Sequence, residues 1–217
     1  MEIFVQQFIN ALSLGGTYAL LALGLAMVFS VLGLINFAHG ELMTITGYAM
    51  FFAIAAGIPF PIAVILGIAA ATAAAILMER VAFRPVRDAN TATMLLTSFA
   101  VSTILHMVFQ NFISARPKAI PVPDWMVGSI NLAGIGIGVI QALSITATTL
   151  LLVALTIFLR RSTLGIAMRA ASLDFPVTRL MGINANAVIA TAFGISGLLA
   201  GVAGVLWLAQ RGSVDPL

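Results

Sequence analysis

From Ala11 to Leu34 the chain carries no Asp, Glu, Lys, Arg or His. About 20 apolar residues at 1.5 Å each are enough for a helix to cross the roughly 30 Å hydrocarbon core of a bilayer. Runs of the same grade recur over about 60–78, 91–113, 134–159 and 187–209, and another follows residue 41. Composition agrees: 61% of residues are hydrophobic, 8% are charged, and mean hydropathy is +1.14. Soluble domains carry roughly 25% charged residues. The expectation is an all-α, polytopic membrane protein with about six transmembrane helices, its core built between helices in lipid. Residues 1–217 form one membrane domain, because no linker, low-complexity tract or internal repeat divides them.

Several classes of function are excluded at this level. The absence of cysteine removes disulfides, thiolate metal sites and cysteine nucleophiles. No P-loop is present to bind ATP. Two histidines and scattered carboxylates show no ligand spacing, so no metal is expected. Nothing favours nucleic acid. No basic region precedes the first apolar run, which is itself a full span, so no cleavable signal peptide is expected. Residues 1–10 form an amphipathic lead-in, with Glu2, Gln6, Gln7 and Asn10 on one helical face and Phe4 and Phe8 on another.

Polar residues in such a chain carry most of the functional information. Asn36-Phe-Ala-His-Gly-Glu41 brings Asn36, His39 and Glu41 into membrane-grade surroundings, where ionisable groups are costly. Asn36 is a good N-cap, and a helix begun there runs about 20 residues, placing Glu41 near its positive end. Two readings stay open: a capped, interfacial helix start, or a polar element that lines or gates a pathway. Ser98, Ser102 and His106 repeat every four residues and so share a face. They either satisfy backbone carbonyls and neighbouring helices or form a polar wall of the same path. Gly194, Gly197, Gly201 and Gly204 make a seam that admits another helix to backbone contact.

The loops set the orientation. The 79–90 segment holds Arg80, Arg84 and Arg87; the 160–186 segment holds Arg160, Arg161, Arg169 and Arg179. The positive-inside rule places both in the cytoplasm, with seven Lys/Arg inside and three outside. An even number of spans then puts both termini outside. The 114–134 loop, stiffened by three prolines and bearing Trp125 as an interface anchor, is extracytoplasmic. Gly134-Ile-Gly-Ile-Gly138 opens the fifth span, and it is not a nucleotide fingerprint because no βαβ unit surrounds it. Within 160–186, Pro176 suits the first turn of a short helix and Gly182 its C-terminal cap.

A family resemblance runs through the chain in order. Gly15-Gly-Thr-Tyr-Ala-Leu-Leu-Ala-Leu-Gly24 and Gly33-Leu-Ile-Asn-Phe-Ala-His-Gly-Glu41 resemble the opening of branched-chain amino acid ABC transporter permeases of the LivH type. Glu79-Arg80 with Phe83-Arg-Pro-Val-Arg87, then Arg160 to Arg169 and Arg179 to Asn184, are similar to that family's cytoplasmic segments. Ser196-Gly-Leu-Leu-Ala-Gly-Val-Ala-Gly204 fits its glycine-rich span. The resemblance implies a multi-pass subunit of a bacterial inner membrane that imports leucine, isoleucine, valine or related amides or urea. It implies a second permease, two ATP-binding subunits and an extracytoplasmic solute-binding protein as partners, with membrane lipid around them. ATP is bound by the partner subunits, and this chain holds no cofactor. Arg169, Arg179 and Gly182 fall in the segment expected to couple to the ATPase. Relatives usually continue beyond the point where this chain ends, so a C-terminal truncation is expected. Pro176 interrupts a more regular helix of the relatives.

Two other classes are weighed beside this one. A passive channel or secondary transporter would use His39, Glu41 and His106 as a relay. An intramembrane serine protease would use the Gly-Ile-Ser-Gly string at Gly194–Gly197, but its serine needs an adjacent base, and both histidines lie on other spans.

Overall fold

The computed structural model describes residues 2–87, 89–114, 116–132 and 135–215. The chain is an all-α polytopic membrane protein. Helix α1 (Glu2–Leu32) takes in both the amphipathic lead-in and the first span. It ends at Gly33, whose φ of +68° is a left-handed turn that side chains resist. The Gly33 N–H bonds the Phe29 carbonyl as the helix closes.

The second span differs from a simple 20-residue helix. Residues 33–36 are irregular, Phe37–His39 form one 3₁₀ turn, and α2 (Glu41–Ala55) has only 15 residues. Asn36 caps the 3₁₀ turn, accepting from the Ala38 N–H at 3.1 Å, while α2 has no side-chain cap. The helix breaks because Asn36 binds the nearest turn and Gly40 contributes little helical preference. Nine of the fifteen residues of α2 are buried, Glu41 and Tyr48 among them. It is therefore an internal helix.

Gly57 turns the chain, with φ +81°, into α3 (Phe60–Met78). Its end widens into a π-helical turn over Glu79–Phe83 and a 3₁₀ turn over Arg84–Val86. Helix α4 (Thr91–Val108), capped by Asn90, likewise widens over Phe109–Ile113. The next segment holds more structure than its prolines suggest. Strand β1 (Lys118–Ala119) and helix α5 (Asp124–Val127) precede a hairpin of β2 (Ser129–Leu132) and β3 (Ile135–Gly138).

Helix α6 (Val139–Arg161) thus starts after the glycine run rather than within it. Each glycine costs a helix about 1 kcal/mol relative to alanine, and the interleaved isoleucines suit a strand. Gly134 itself lies outside the described residues. Helices α7 (Thr163–Leu173) and α8 (Phe175–Leu180) follow. Helix α9 (Ala185–Arg211) completes the body, and β4 (Ser213–Val214) pairs antiparallel with β1.

Among the described residues five helical stretches are long and apolar enough to cross a membrane, and α2 is the short remaining leg. Burial ranks them. The most apolar window of α9 is 67% buried, whereas that of α6 is 11% buried. Helix α9 is the centre of the fold, and α6 turns most of its surface outward.

The glycine seam explains that centrality. A Cβ on Gly197 would lie 2.9 Å from the Ala71 carbonyl oxygen, one on Gly201 would lie 3.1 Å from Ile68 Cα, and one on Gly204 would lie 3.2 Å from Met43 Cα. Gly197 and Gly201 therefore admit α3, and Gly204 admits α2, to backbone contact. Gly194 is different, meeting only Ile76 at 3.6 Å. A second seam joins α1 to α6, where the Ser144 hydroxyl donates to the Ser13 carbonyl at 3.1 Å.

The charged residues separate by end. The C-terminus of α1, the α3–α4 connection and α8 share one end, where Val31, Arg87, Phe175 and Arg179 line one cleft, and an Arg87–Asn186 hydrogen bond ties the connection to the start of α9. Arg116, Lys118 and Arg211 lie at the other, with the β1–β4 pair.

Candidate functional site

The Asn36–Glu41 motif folds back into the body. His39 Nε2 lies 3.1 Å from the Leu21 carbonyl oxygen on α1, and His39 Nδ1 lies 3.1 Å from Ser196 Oγ on α9. Glu41 Oε1 accepts from Ser102 Oγ on α4 at 3.3 Å. Leu21, Ser102 and Ser196 each lie eleven residues from their helix end on the arginine-rich side, about 16 Å by helical rise. That is roughly half of a 30 Å hydrocarbon core. His39 and Glu41 therefore sit part-way along the helices rather than at their ends, and α2 starts there as a short helix.

Each residue of the motif has a distinct task. Asn36 caps the turn and sends its amide nitrogen toward Met78 Sδ at 3.7 Å. His39 is a strut. A carbonyl oxygen only accepts, so Nε2 carries the proton toward Leu21, and Nδ1 accepts from the Ser196 hydroxyl. Gly24 makes room for the ring, since a Cβ there would lie 2.8 Å from His39 Cε1. Glu41 is 5% exposed, and among the described residues its second oxygen, Oε2, has no hydrogen-bond partner. Most buried polar atoms are bonded, so an orphaned carboxylate oxygen calls for an explanation.

The serine-histidine face of α4 divides. Ser98 donates to the Leu95 carbonyl at 2.8 Å and approaches that of Ile35 at 3.4 Å, so it steadies the backbone of the re-entrant stretch. Ser102 alone meets Glu41. His106, one turn on, pairs with Gln110 at 2.8 Å. The His39–Ser196 contact is the feature that sequence reasoning missed, because it joins residues 157 apart. Thr44, one turn beyond Glu41 and 2% exposed, also escaped notice; its hydroxyl has no partner either.

The coupling candidates lie at the arginine-rich end. Asp174 caps α8 by accepting from the Val177 N–H at 3.0 Å, and Pro176 occupies its first turn. Gly182 follows the helix with φ +80°. Arg179 is exposed and lines, with Arg87, Phe175 and Val31, a cleft of about 190 Å³. Arg169 is exposed on α7.

A family model described as the permease component of the branched-chain amino acid transport system matches residues 7–217. The chain belongs to this family of transport permeases. Relatives agree along almost its whole length. The high-affinity branched-chain amino acid transport system permease protein BraD of Pseudomonas aeruginosa is 38% identical over 225 residues, covering 98% of this chain and 73% of the relative. The permease proteins LivH of Salmonella typhimurium and Escherichia coli are 39% and 38% identical over 229 residues, with the same coverage. No solved structure matches.

Membership in a permease family gives the His39–Ser196 pair its meaning. A hydroxyl facing an imidazole nitrogen is also the opening arrangement of a serine nucleophile. These relatives are transport permeases, not enzymes. In this permease the pair is enclosed, at 6% and 1% exposure, and both imidazole nitrogens are engaged in tying three elements together.

Proposed function

We propose that this permease forms the translocation path of an ABC importer for branched-chain amino acids or closely related small solutes. The observation that carries this is the break before α2, part-way along the helices, where Glu41 and Ser102 meet inside a bundle of membrane-length helices. Transporter sites sit at such interrupted helices near the bilayer midplane, since irregular backbone at that depth is tolerated only where protein or a cavity surrounds it. The relatives' names supply the solute class. The protein lies in a bacterial inner membrane with its arginine-rich end in the cytoplasm. There it meets two ATP-binding subunits, which bind the nucleotide, and it pairs with a second permease subunit. A solute-binding protein docks at the opposite end, on the 114–134 loop.

The test is uptake of radiolabelled leucine by proteoliposomes holding the assembled complex, the binding protein outside and ATP inside. ATP-dependent accumulation above the external concentration is expected; equilibration alone would mean a passive channel and overturn the reading.

The same preparation tests coupling. Helix α8, capped by Asp174 and closed by Gly182, presents Arg179 beside Arg87, a positively charged surface suited to an acidic face on the ATPase. Gly182→Val forces a β-branched residue into left-handed backbone, at a cost of about 1–2 kcal/mol. Arg179→Glu reverses a charge. Both variants are expected to assemble, keep basal ATPase activity and lose at least tenfold in leucine uptake. Wild-type uptake in both would remove α8 from the coupling surface.

A further inference from the structure

We infer that Glu41 receives the α-ammonium group of the amino acid in transit, with Thr44 beside it as a second acceptor. The inference rests on the transport reading above and adds the group that is recognised. Its ground is the mismatch of donors and acceptors part-way along the helices. Glu41 is 5% exposed and Thr44 is 2% exposed. Oε1 of the carboxylate accepts from Ser102, but among the described residues Oε2 and the Thr44 hydroxyl oxygen have no partner. Residues three apart on a helix share a face, so both orphaned oxygens belong to one stripe of α2. Tyr48, four residues on, extends that stripe and donates to the Ser114 carbonyl at 3.4 Å.

A buried carboxylate ordinarily finds a cation or a full set of donors. Among the described residues the one carboxylate–cation ion pair is Glu79–Arg84, at the arginine-rich end. Glu41 has only a hydroxyl donor and an open oxygen. An ammonium group is the complement, offering three N–H donors, one positive charge and no acceptor. A 2-oxo acid of the same carbon skeleton has the same carboxylate but lacks the ammonium donors and their positive charge, leaving a net negative ligand beside Glu41. Sites built around such a polar group reject analogues lacking it far more strongly than they reject a change of one methylene. The space beside Thr44, toward Trp207 and Asp215, measures about 20 Å³, little more than one water. That space is too small for an amino acid, so the site is closed in this conformation.

The experiment uses the assembled complex in lipid nanodiscs without its binding protein, both nucleotide-free and trapped with ATP and vanadate. Saturation-transfer NMR compares leucine with 4-methyl-2-oxopentanoate. The wild type is expected to prefer leucine at least tenfold in one of the two states. Glu41→Gln should bring leucine down to the level of the 2-oxo acid, while Gly194→Ala, whose added methyl meets only the tip of Ile76, retains the preference. Equal signals from both ligands, no leucine signal in either state, or undiminished leucine binding by Glu41→Gln would each overturn the inference. The ligand comparison on the wild type needs no variant, so it decides even if Glu41→Gln fails to assemble. Failure of wild-type leucine uptake would instead sink the transport reading itself.

Discussion

Gly197→Val is expected to prevent accumulation of folded protein in the membrane, while Gly194→Ala leaves it at or slightly above the wild-type level. The two glycines are equivalent in the sequence pattern and differ in what lies opposite. A Cβ at Gly197 would sit 2.6 Å from Ala75 Cβ and 2.9 Å from both the Ala71 carbonyl oxygen and Thr72 Cα. None of these atoms can rotate away. The whole of α3 must move, and overpacking of this kind costs about 3 kcal/mol or more. At Gly194 the nearest atom is the tip of Ile76, at 3.6 Å, an ordinary contact. Alanine there gains helix propensity worth up to about 1 kcal/mol. Fluorescence-detected gel filtration of tagged variants extracted in mild detergent measures both. Equal yields from Gly197→Val and wild type would mean that the α3–α9 seam is looser than the structure has it.

The second large effect is expected at the arginine-rich end. Arg84 makes two hydrogen bonds to Glu79, at 3.1 and 2.9 Å, where α3 widens into its π-helical turn. The partners are unequal: the Glu79 side chain is 1% exposed and that of Arg84 is 36% exposed. Arg84→Ala strands a carboxylate that cannot reach water, and breaking such a buried pair costs about 3 kcal/mol. Glu79→Ala leaves a guanidinium that can turn outward, so the smaller loss is about 1–2 kcal/mol of charged hydrogen bonding. Thermal inactivation of the detergent-extracted complex should therefore rank wild type, Glu79→Ala and Arg84→Ala in falling order. The double variant should be more stable than the two single losses predict by addition. The reverse order for the single variants would show that Glu79 is not held by Arg84 alone.

Much of the architecture is written locally. Apolar runs of membrane length mark their helices because hydrocarbon leaves the backbone few other ways to satisfy its own hydrogen bonds. Pro176 and Gly182 mark a helix start and end because each acts on adjacent backbone. The glycine seam of α9 is legible as a place of close approach, since small side chains at helical spacing have few other uses. The arginines, seven toward one end and three toward the other, separate in the structure as their order along the chain predicts. Composition and motif order together were enough to identify a permease of this family.

Depth and partnership were not legible. The string from Asn36 to Glu41 reads equally well as a capped helix start at the interface, because capping is local and depth is not. Only the packing of α1, α4 and α9 carries the motif half-way into the bundle. Only there does His39 meet Ser196, across 157 residues, beside the space left by Gly24. The face shared by Ser98, Ser102 and His106 is correctly periodic, yet its three members have three different partners. Periodicity says which residues point the same way, and the neighbouring helix decides what each one meets. The sequence by itself determined the helices, their order and the residues with polar chemistry to offer. The tertiary structure alone decided that Glu41 would be buried part-way along the helices with one oxygen unbonded, because an unsatisfied atom is defined by everything around it and by nothing in its own stretch of chain.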